Sequence, residues 1–484
     1  NITDAISAVF GVSFLAALAG ALLAWDGGAK RWLQGSIAFM ALAAGIAVGN
    51  TVAGKSHAPP LRLGWTKEGR EPPPLYERWN SFSRVTVAED WAGMGVPNQE
   101  GLSSTCIKGL VVPHRLLRID SSAETTLLEF KGDLKAVEYL KCDVKDAAFA
   151  IWPNRDVLVV GAGGGRDVLA ALASDEKSVR AVEINANIIQ AVNGRYGDYT
   201  GHLDRDPSVQ FVNDEARSYI ARSGERFGII QISFIDTWAA TAAGGFALTE
   251  NSLYTLEAWN SMLNHLMPDG VLSVSRWYVP NNPLEAYRLV SLAGAALARV
   301  GANDPRAHLA VLAKVPQESP SNLQTTALTV LVGRSPFSET ELARIRDFAN
   351  RLGFRIILDP RSPADPLWAA LASGRVSRDV LSSGIVDLSP PTDDRPFFFQ
   401  MFRLGSAWRY AFKLDWINTL HAQAVASIFV LLIAVSVLSL ACLILPLVWR
   451  AKVVLEPGAL PFCVYFAAIG LGLGWPRKLG HSGR

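Results

Sequence analysis

Charged and apolar residues are distributed unevenly along this chain, with uncharged apolar stretches at both ends and ordinary charge density between them. Residues 5–25 and 32–53 contain no charged side chain, and either stretch, as a helix, can cross a hydrocarbon core about 30 Å thick. The first stretch is longer than the apolar core of a signal peptide and the second follows six residues later, which favours a helical hairpin. Residues 422–448 form a long third stretch, and residues 459–475 form a shorter fourth.

The chain between the apolar ends falls into three further segments. The sequence GREPPPLYE, residues 69–77, is proline-rich and predicts a stiff, extended linker. Short runs rich in β-branched and aromatic residues follow it and predict a small β-rich module ahead of an α/β domain. In order, we predict a transmembrane hairpin, a linker, the β-rich module, the α/β domain and C-terminal transmembrane helices over residues 1–56, 57–75, 76–150, 151–400 and 401–484. Because the chain starts at Asn1 and ends just after an apolar run, we expect the C-terminal helices to be truncated.

Composition and charge bound the class of protein. The chain has 484 residues, more than one hydrophobic core usually holds, and 50% apolar residues with a mean hydropathy of +0.20 are high for a soluble protein. Lysines and arginines near the predicted membrane ends number seven on the side of the α/β domain and four in the opposite loops. By the positive-inside rule this difference predicts a multi-pass protein of the cell inner (plasma) membrane, with the domain facing the cytoplasm. The net charge of +2 argues against nucleic acid as a partner. The apolar stretches predict the lipid bilayer as a partner.

The four cysteines do not indicate a metal site or a disulfide framework. Cys106, Cys142, Cys442 and Cys463 have no Cys-x-x-Cys spacing, and two of them lie in predicted membrane segments. We therefore predict neither a bound metal nor a disulfide.

A glycine-rich loop between two apolar strands is the strongest chemical signal in the chain. Residues 156–172, DVLVVGAGGGRDVLAAL, predict a strand, a loop and a helix, and residues 179–189, VRAVEINANII, predict the next strand, which ends at Glu183. Glycines let a ligand approach the backbone, and a carboxylate at that strand end can accept both ribose hydroxyls of a nucleoside. A nicotinamide site prefers Gly-x-Gly-x-x-Gly, but the sixth residue counted from Gly161 is Arg166.

A second acidic signal indicates the kind of nucleoside. Asn213 and Asp214 follow the apolar run VQFV, and with Glu183 they predict a site for S-adenosylmethionine or its decarboxylated form. In this interpretation Glu183 holds the ribose and Asp214 contacts the adenine amino group. A structural turn in another nucleotide- or sugar-binding α/β domain is the alternative. The residues predicted to bind the nucleoside are Gly161, Ala162, Gly163, Gly164, Gly165, Arg166, Glu183, Ile184, Asn213, Asp214 and Ser233.

The predicted strand after Asp214, FGIIQIS over residues 227–233, leads into a loop over residues 234–250. Since ligands bind at the carboxyl ends of strands in open α/β sheets, Asp236 in this loop should face the nucleoside. The following segments, SLYTLEAWNSMLNHL and GVLSVSRWY, predict an amphipathic helix and a further strand. Residues 285–400 continue as α/β structure with less distinct boundaries.

Together these features resemble the spermidine synthase family of aminopropyltransferases, over about half of the chain from Trp79 to Tyr278. The apolar flanks and PPTDDRPFFFQMF, residues 390–402, are similar to the membrane-embedded, spermidine synthase-like branch of that family. The resemblance implies a Rossmann-like, class I methyltransferase-type α/β domain, preceded by the small β-rich module and flanked by transmembrane α-helices. It also implies a homo-oligomer.

The donor half of the family's site carries over better than its polyamine half. An aspartate of the family's glycine loop falls on Gly164, and the two acids of its DSSDP segment fall on Ser233 and Asp236, so we expect Asp236 to be the catalytic residue. Lys141 and Arg276 replace family residues of the polyamine site, and two cations there would disfavour a polycationic acceptor. The residues predicted to bind the substrate are Phe82, Ser83, Tyr139, Trp238 and Tyr254.

Two features leave a choice open. Arg166 either pairs with the carboxylate of intact S-adenosylmethionine or is a solvated residue at a helix start. The segment TDDRP, Thr392 to Pro396, either supplies acids to the acceptor site or caps the domain against the bilayer, with the following phenylalanines at the membrane interface.

Three functions are consistent with this sequence. The first is a membrane-anchored, spermidine synthase-like transferase that moves an alkyl group from the sulfonium nucleoside, its co-substrate, to an amine or other small nucleophile. The second is an S-adenosylmethionine-dependent methyltransferase with a membrane-proximal acceptor. The third is a transporter or sensor that binds the nucleoside without turnover.

Overall fold

The structure of the protein is a computed structural model. It describes residues 4–55, 60–66, 69–81, 83–89, 95–121, 123–235, 250–315, 325–361, 365–377, 381, 386–401, 420–445 and 465. The chain divides into two compact units, residues 1–424 and residues 425–484.

Two antiparallel helices open the chain, as predicted. Helices α1 (Ala5–Asp26) and α2 (Lys30–Lys55) are each long and apolar enough to cross a membrane. A polar cluster joins their far ends, where the amide of Asn50 donates to Asp4 Oδ2 and to Ser7 Oγ, both at 3.1 Å. The side-chain oxygen of Asn50 accepts the backbone N–H of Leu61 at 2.8 Å, so the linker begins fixed to the hairpin.

The described part of the third apolar stretch is also helical. It forms a helix over Leu420–Ser439, which continues as a π-helical turn over Leu440–Ile444. The fourth stretch, residues 459–475, lies outside the described residues except for Tyr465, so its membrane helix stays a prediction.

The predicted β-rich module is present. A two-stranded hairpin, β1 (Trp65–Thr66) and β2 (Gly69–Arg70), follows the N-terminal helices. An antiparallel sheet then forms in the order β3-β4-β5-β6. Its strands are Tyr76–Trp79, Arg84–Glu89, His114–Ile119 and Ala123–Leu128.

The main sheet has eight strands in the order β14-β12-β13-β11-β10-β7-β8-β9. Strands β7 to β11 pair in parallel, whereas β13 pairs antiparallel with both β11 and β12. This mixed, largely parallel sheet confirms the predicted class I methyltransferase-type fold. The strands β7 to β14 are Asp156–Val160, Ser178–Glu183, Val209–Asn213, Phe227–Ser233, Leu266–Tyr278, Leu309–Lys314, Thr326–Gly333 and Phe354–Leu358.

Helices cover both faces of this sheet. Successive side chains of β7 point to opposite faces of the sheet. Val157 and Val159 pack in one apolar cluster, and Leu158 and Val160 pack in the other. Because both faces are buried, the sequence of this strand is an unbroken apolar run. The first cluster includes residues of α3, α4 and α10, and the second includes residues of α7, α8, α9 and α11. The helices α3 to α11 are Ala147–Ile151, Arg166–Ala173, Ala186–Ile189, Gly197–Thr200, Ala216–Arg222, Leu256–Asn264, Leu284–Arg299, Glu339–Leu352 and Pro366–Ala372.

The order of the strands fixes where a ligand can bind. The chain runs outward from β7 through β8 to β9 on one side, and through β10 to β11 on the other, so the connections diverge between β7 and β10. A crevice forms at such a point, beyond the carboxyl ends of the strands.

One prediction about this fold is wrong. Cys106 and Cys142 form a disulfide across a sequence separation of 36 residues. The spacing rules applied to the sequence detect only local cysteine motifs, and here the two cysteines are brought together by the path of the chain after β4.

Candidate active site

A cavity of about 1150 Å³ lies at the predicted position, beyond the carboxyl ends of β7 to β10. Its other walls come from the β1–β2 hairpin, the β-rich module and the segment Glu250–Tyr254. Of the residues predicted to bind ligands, those that line the cavity are Gly161, Ala162, Gly163, Arg166, Glu183, Ile184, Asp214, Ser233 and Tyr254. Those described but absent from its lining are Gly164, Gly165, Asn213, Ser83 and Tyr139. Phe82, Asp236 and Trp238 lie outside the described residues, so their roles stay predictions.

The glycine loop needs its glycines for two separate reasons. Gly163 has a φ of +50°, which side-chain-bearing residues rarely adopt, and its N–H donates to Glu183 Oε2 at 3.0 Å. At Gly164 a Cβ atom would lie 2.1 Å from the carbonyl oxygen of Thr126 on β6. The loop is therefore pressed against the β-rich module at the position where the resembling family carries an aspartate.

Glu183 is buried at the end of β8, with its carboxylate held by backbone groups. Oε2 accepts from Gly163, and Oε1 accepts the N–H of Asn185 at 2.9 Å. Burial raises the pKa of Glu183, although backbone N–H groups partly offset this effect. Each carboxylate oxygen has a second lone pair, so the side chain can still accept two hydroxyl groups from a ligand in the cavity.

Asp214 and Asn213, at the end of β9, differ in what they contact. Asp214 lines the cavity, accepts the N–H of Glu215 at 2.8 Å through Oδ1 and forms an ion pair with Arg222 through Oδ2. The amide of Asn213 donates to the carbonyl oxygens of Glu183 and Ile184, at 2.9 and 3.0 Å. Asn213 thus ties the two strand ends together and positions both acids.

The β-rich module also holds the Glu183 strand end in place. Asn80 Nδ2 donates to Asn185 Oδ1 at 2.7 Å, and Asn185 Nδ2 donates to Ser83 Oγ at 2.9 Å. The Ser83 hydroxyl in turn donates to Asn80 Oδ1 at 2.9 Å, which closes a ring of three side chains. In this arrangement Ser83 is a positioning residue for the Glu183 loop.

The structure contradicts one of the two interpretations given to Arg166 from the sequence. Arg166 is buried, and its guanidinium lies 2.6 Å from Asp143, 3.0 Å from Asp146 and 3.1 Å from Asp167. It is therefore not a solvated helix-start residue. Its guanidinium donates hydrogen bonds to Asp143 and to Asp167, so its charge is already compensated within the protein.

Two further polar groups are buried around Arg166. Burial raises the pKa of Asp146 well above its usual range, which favours the neutral acid beside the charged Asp143 and Asp167. Burial also raises the pKa of Tyr139 to about 12, and the Tyr139 hydroxyl finds no hydrogen-bond partner among the described residues. Tyr139 belongs to this cluster beneath the cavity.

A buried ion pair that the sequence did not reveal lies on the cavity wall. Lys145 Nζ is 2.8 Å from Glu100 Oε1 and 3.4 Å from Asp143 Oδ2, and it stands over the ring of Phe234. Burial alone would lower the pKa of Lys145, but Asp143 and Glu100 outweigh it and raise that pKa. Glu100 and Lys145 both line the cavity.

The two cations expected beside the acceptor are elsewhere, so that prediction is wrong. Lys141 pairs with Glu138, and Arg276 is fully buried and pairs with Glu285 at 2.8 Å. Neither residue lines the cavity. Position along the chain did not determine the directions of these two side chains.

The TDDRP segment holds helices together. The Asp393 carboxylate pairs with the guanidinium of Arg217 on α7 and accepts from Thr255 Oγ1 at 2.7 Å, while its N–H donates to Glu257 on α8. Asp393 thus caps the domain from within rather than supplying an acid to the cavity, whose lining it does not join.

One of the two interpretations of TDDRP placed the following phenylalanines at a membrane interface, and two of them are buried in the domain instead. Phe398 is 0% exposed and Phe399 is 5% exposed. Both pack against the ring of Tyr254, with centroids 4.7 and 6.3 Å away, and the Tyr254 hydroxyl donates to Ile235 O at 3.1 Å. These aromatic residues fix the chain that leaves β10 at the edge of the cavity.

The disulfide stabilises the wall that carries Glu100 and Lys145. It joins the stretch after Gly95, which bears Glu100, to the stretch before Lys145. Only a few backbone hydrogen bonds connect these stretches, among them Ser103 N–H to Cys142 O at 2.9 Å. The covalent link is therefore a main restraint on this side of the cavity.

Replacing both cysteines by serine is expected to lower the stability of the α/β unit by about 2–4 kcal/mol, because a closed loop of this size restricts the unfolded chain. Donor-nucleoside affinity should not change, since Glu183 and Asp214 lie on other elements. Thermal unfolding in detergent would measure the first effect and calorimetry the second, with Cys442→Ser as the control. Alkylation of Cys106 and Cys142 themselves in the untreated protein would contradict the bond.

No protein-family model matches the chain. Among solved structures, it is similar to a spermidine synthase in complex with the transition state analogue AdoDATO, at 16% identity and a TM-score of 0.36, covering 64% of this chain and 86% of that chain. The spermidine synthase from Thermotoga maritima matches at 16% identity, a TM-score of 0.38 and the same two coverages, 64% and 86%. A probable spermidine synthase from Corynebacterium glutamicum matches at 14% identity and a TM-score of 0.41, over 63% and 96%. At such distances the function depends on the residues of this chain.

Proposed function

We propose that the protein is a membrane-anchored, spermidine synthase-like transferase that moves an alkyl group, of the aminopropyl type, from a sulfonium nucleoside to an amine. The observation that carries the proposal is the placement of Glu183, Asp214 and the glycine loop on one cavity wall. We further propose that the protein is multi-pass in the cell inner membrane, with the α/β domain on the cytoplasmic side, where sulfonium nucleosides are made.

The donor half of the cavity supports this proposal in detail. Glu183 offers two carboxylate lone pairs beside the backbone of Gly163, which suits the paired hydroxyls of a ribose. Asp214 stands at the next strand end and can accept from an adenine amino group. The charged residues that line the cavity are mostly acidic, eight against four basic, which favours a ligand with a positive sulfonium centre.

The acceptor half of the cavity is compatible with an amine. Lys145 and Arg166 lie in this half, and each is neutralised by buried carboxylates. They therefore do not repel a positively charged acceptor. An alkylammonium with a pKa near 10.4 must lose a proton before it can attack, and a carboxylate in the cavity can accept it. Glu100 and Asp167 line the cavity, and Asp236 follows directly after Ile235, which also lines it.

One argument for the methyltransferase alternative is weakened by the contacts of Arg166. Arg166 was the residue that could have selected intact S-adenosylmethionine, and its guanidinium is engaged by Asp143, Asp146 and Asp167. Methyl transfer and binding without turnover are therefore retained only as possible outcomes of the binding experiment described next.

Calorimetric titration of the detergent-purified protein with S-adenosylmethionine and with its decarboxylated form tests the proposal. We expect both to bind and the decarboxylated form to bind more tightly, because the carboxylate of the intact form would meet an acidic cavity. Tighter binding of intact S-adenosylmethionine would indicate that the protein transfers a methyl group. Binding of neither would overturn the sulfonium-nucleoside site, and binding without product from any amine would favour a sensor or transporter.

A further inference from the structure

The small β1–β2 hairpin presents an aromatic and a basic side chain outward. Trp65 pairs with Arg70 across the hairpin, so both side chains lie on one face, and both are exposed, Trp65 by 75%. Leu61 and Leu75, on either side of the hairpin, are 40% and 45% exposed. Tryptophan with a neighbouring arginine is the combination found where proteins meet lipid headgroups.

The hairpin also stands close to the end of a predicted membrane span. Asn50, in the last two turns of α2, holds the backbone of Leu61 at 2.8 Å. The five residues from there to Thr66 can extend at most about 17 Å. The hairpin therefore lies within reach of the bilayer surface from which α2 emerges.

The same hairpin is a wall of the cavity. Thr66, Arg70, Glu71 and Pro72 line it. Glu71 anchors this wall to the β-rich module, because its carboxylate accepts from buried Arg84 at 2.6 Å. One short element thus separates the bilayer surface from the proposed transfer site.

We propose that the β1–β2 hairpin lies in the lipid headgroup layer and that the acceptor enters the cavity from the bilayer. The acceptor would be an amphiphile whose headgroup carries an amine next to a phosphate. Arg70 at the rim suits the phosphate, and the excess of acidic over basic residues in the lining, eight against four, suits the amine. This inference deepens the proposed function and rests on it.

The transfer step balances without any further reactant. The neutral amine nitrogen uses its lone pair to bond to the sulfonium-bound carbon, and the carbon–sulfur bond breaks with its electron pair passing to sulfur. The products are a neutral thioether nucleoside and an alkylated ammonium headgroup. The one proton released is the one that the headgroup ammonium gave to a cavity carboxylate before the attack.

The position of the hairpin can be measured with a fluorescent label. Trp65→Cys and, as a control of similar exposure, Val111→Cys are introduced into the full chain with Cys442 and Cys463 replaced by serine. Each protein is labelled and placed in nanodiscs whose phosphatidylcholine carries a nitroxide on its headgroup. We expect strong quenching at position 65 and little at position 111. Equal quenching at the two positions would overturn the placement.

The acceptor class is tested with a radiolabelled sulfonium donor. Protein in phosphatidylethanolamine nanodiscs is compared with protein in phosphatidylcholine nanodiscs supplied with soluble phosphoethanolamine. We expect label to enter the lipid and not the soluble amine. Arg70→Gln should lower lipid labelling about fivefold, whereas Arg351→Gln, an exposed arginine on α10, should leave it unchanged.

The two proposals fail in different ways. If the donor binds but the soluble amine is labelled as well as the lipid, or neither is labelled, the lipid acceptor is wrong and the donor site stands. If the donor does not bind, the proposed function itself is overturned.

Discussion

Replacing Glu183 by glutamine is expected to weaken binding of the sulfonium nucleoside about a hundredfold or more. Hydrogen bonds to a charged group contribute about 1.5–3 kcal/mol each, and the ribose would make two of them. A glutamine amide would also turn an N–H group toward one of the backbone donors, Gly163 or Asn185, that the carboxylate now accepts from. Calorimetry of the purified variant measures the loss.

A matched control exists at Glu176, another buried carboxylate, which accepts the N–H of Arg155 and does not line the cavity. Glu176→Gln should bind the nucleoside as the unaltered protein does. Equal affinities in both variants would remove Glu183 from the site. Because burial raises the pKa of Glu183, binding by the unaltered protein should also weaken toward acid at a pH above the range of an exposed glutamate.

Replacing Gly164 by alanine is expected to cost several kcal/mol of stability or to prevent folding. The added Cβ would lie 2.1 Å from the Thr126 carbonyl oxygen, so either the glycine loop or β6 would have to move. Thermal unfolding and expression yield would report the effect. Gly194→Ala is the control, since no heavy atom lies within 4 Å of its Cβ position.

A Gly164→Ala variant with an unchanged melting temperature would show that the loop and the β-rich module can separate without cost. The expected outcome has a further implication for the resemblance to spermidine synthases. With β6 where it is, position 164 has no room for an aspartate side chain. Any acid on the acceptor side must come from another position, such as Asp167.

Most of the fold could be predicted because its signals are local. The apolar runs of β7, β8 and β10 alternate with helical segments, and a chain of this kind has few ways to build a sheet. The β-rich module was also recognisable from β-branched runs. The order of the antiparallel strands β12 to β14 could not be predicted from the sequence, because it depends on pairing between distant segments.

Within the candidate site, the positions of Glu183 and Asp214 at the cavity could be predicted from the sequence. Glu183 and Asp214 stand at strand ends, where position along the chain determines position in space. Arg166 remained ambiguous because its partner Asp143 lies 23 residues earlier, on a segment with no repeating pattern. The Glu100–Lys145 pair joins residues 45 positions apart, and no local signal connects them.

The Cys106–Cys142 bond gives the proposed cytoplasmic placement of the α/β domain a chemical readout. In a compartment buffered by glutathione the pair is kept as two thiols, and the bond would form only during oxidant exposure; outside the cytoplasm it would persist. Trapping free thiols in intact cells, before lysis, therefore tells which side of the membrane the domain occupies. If the domain is cytoplasmic, the fraction of Cys106 and Cys142 that is disulfide-bonded would report the oxidative state of the cell.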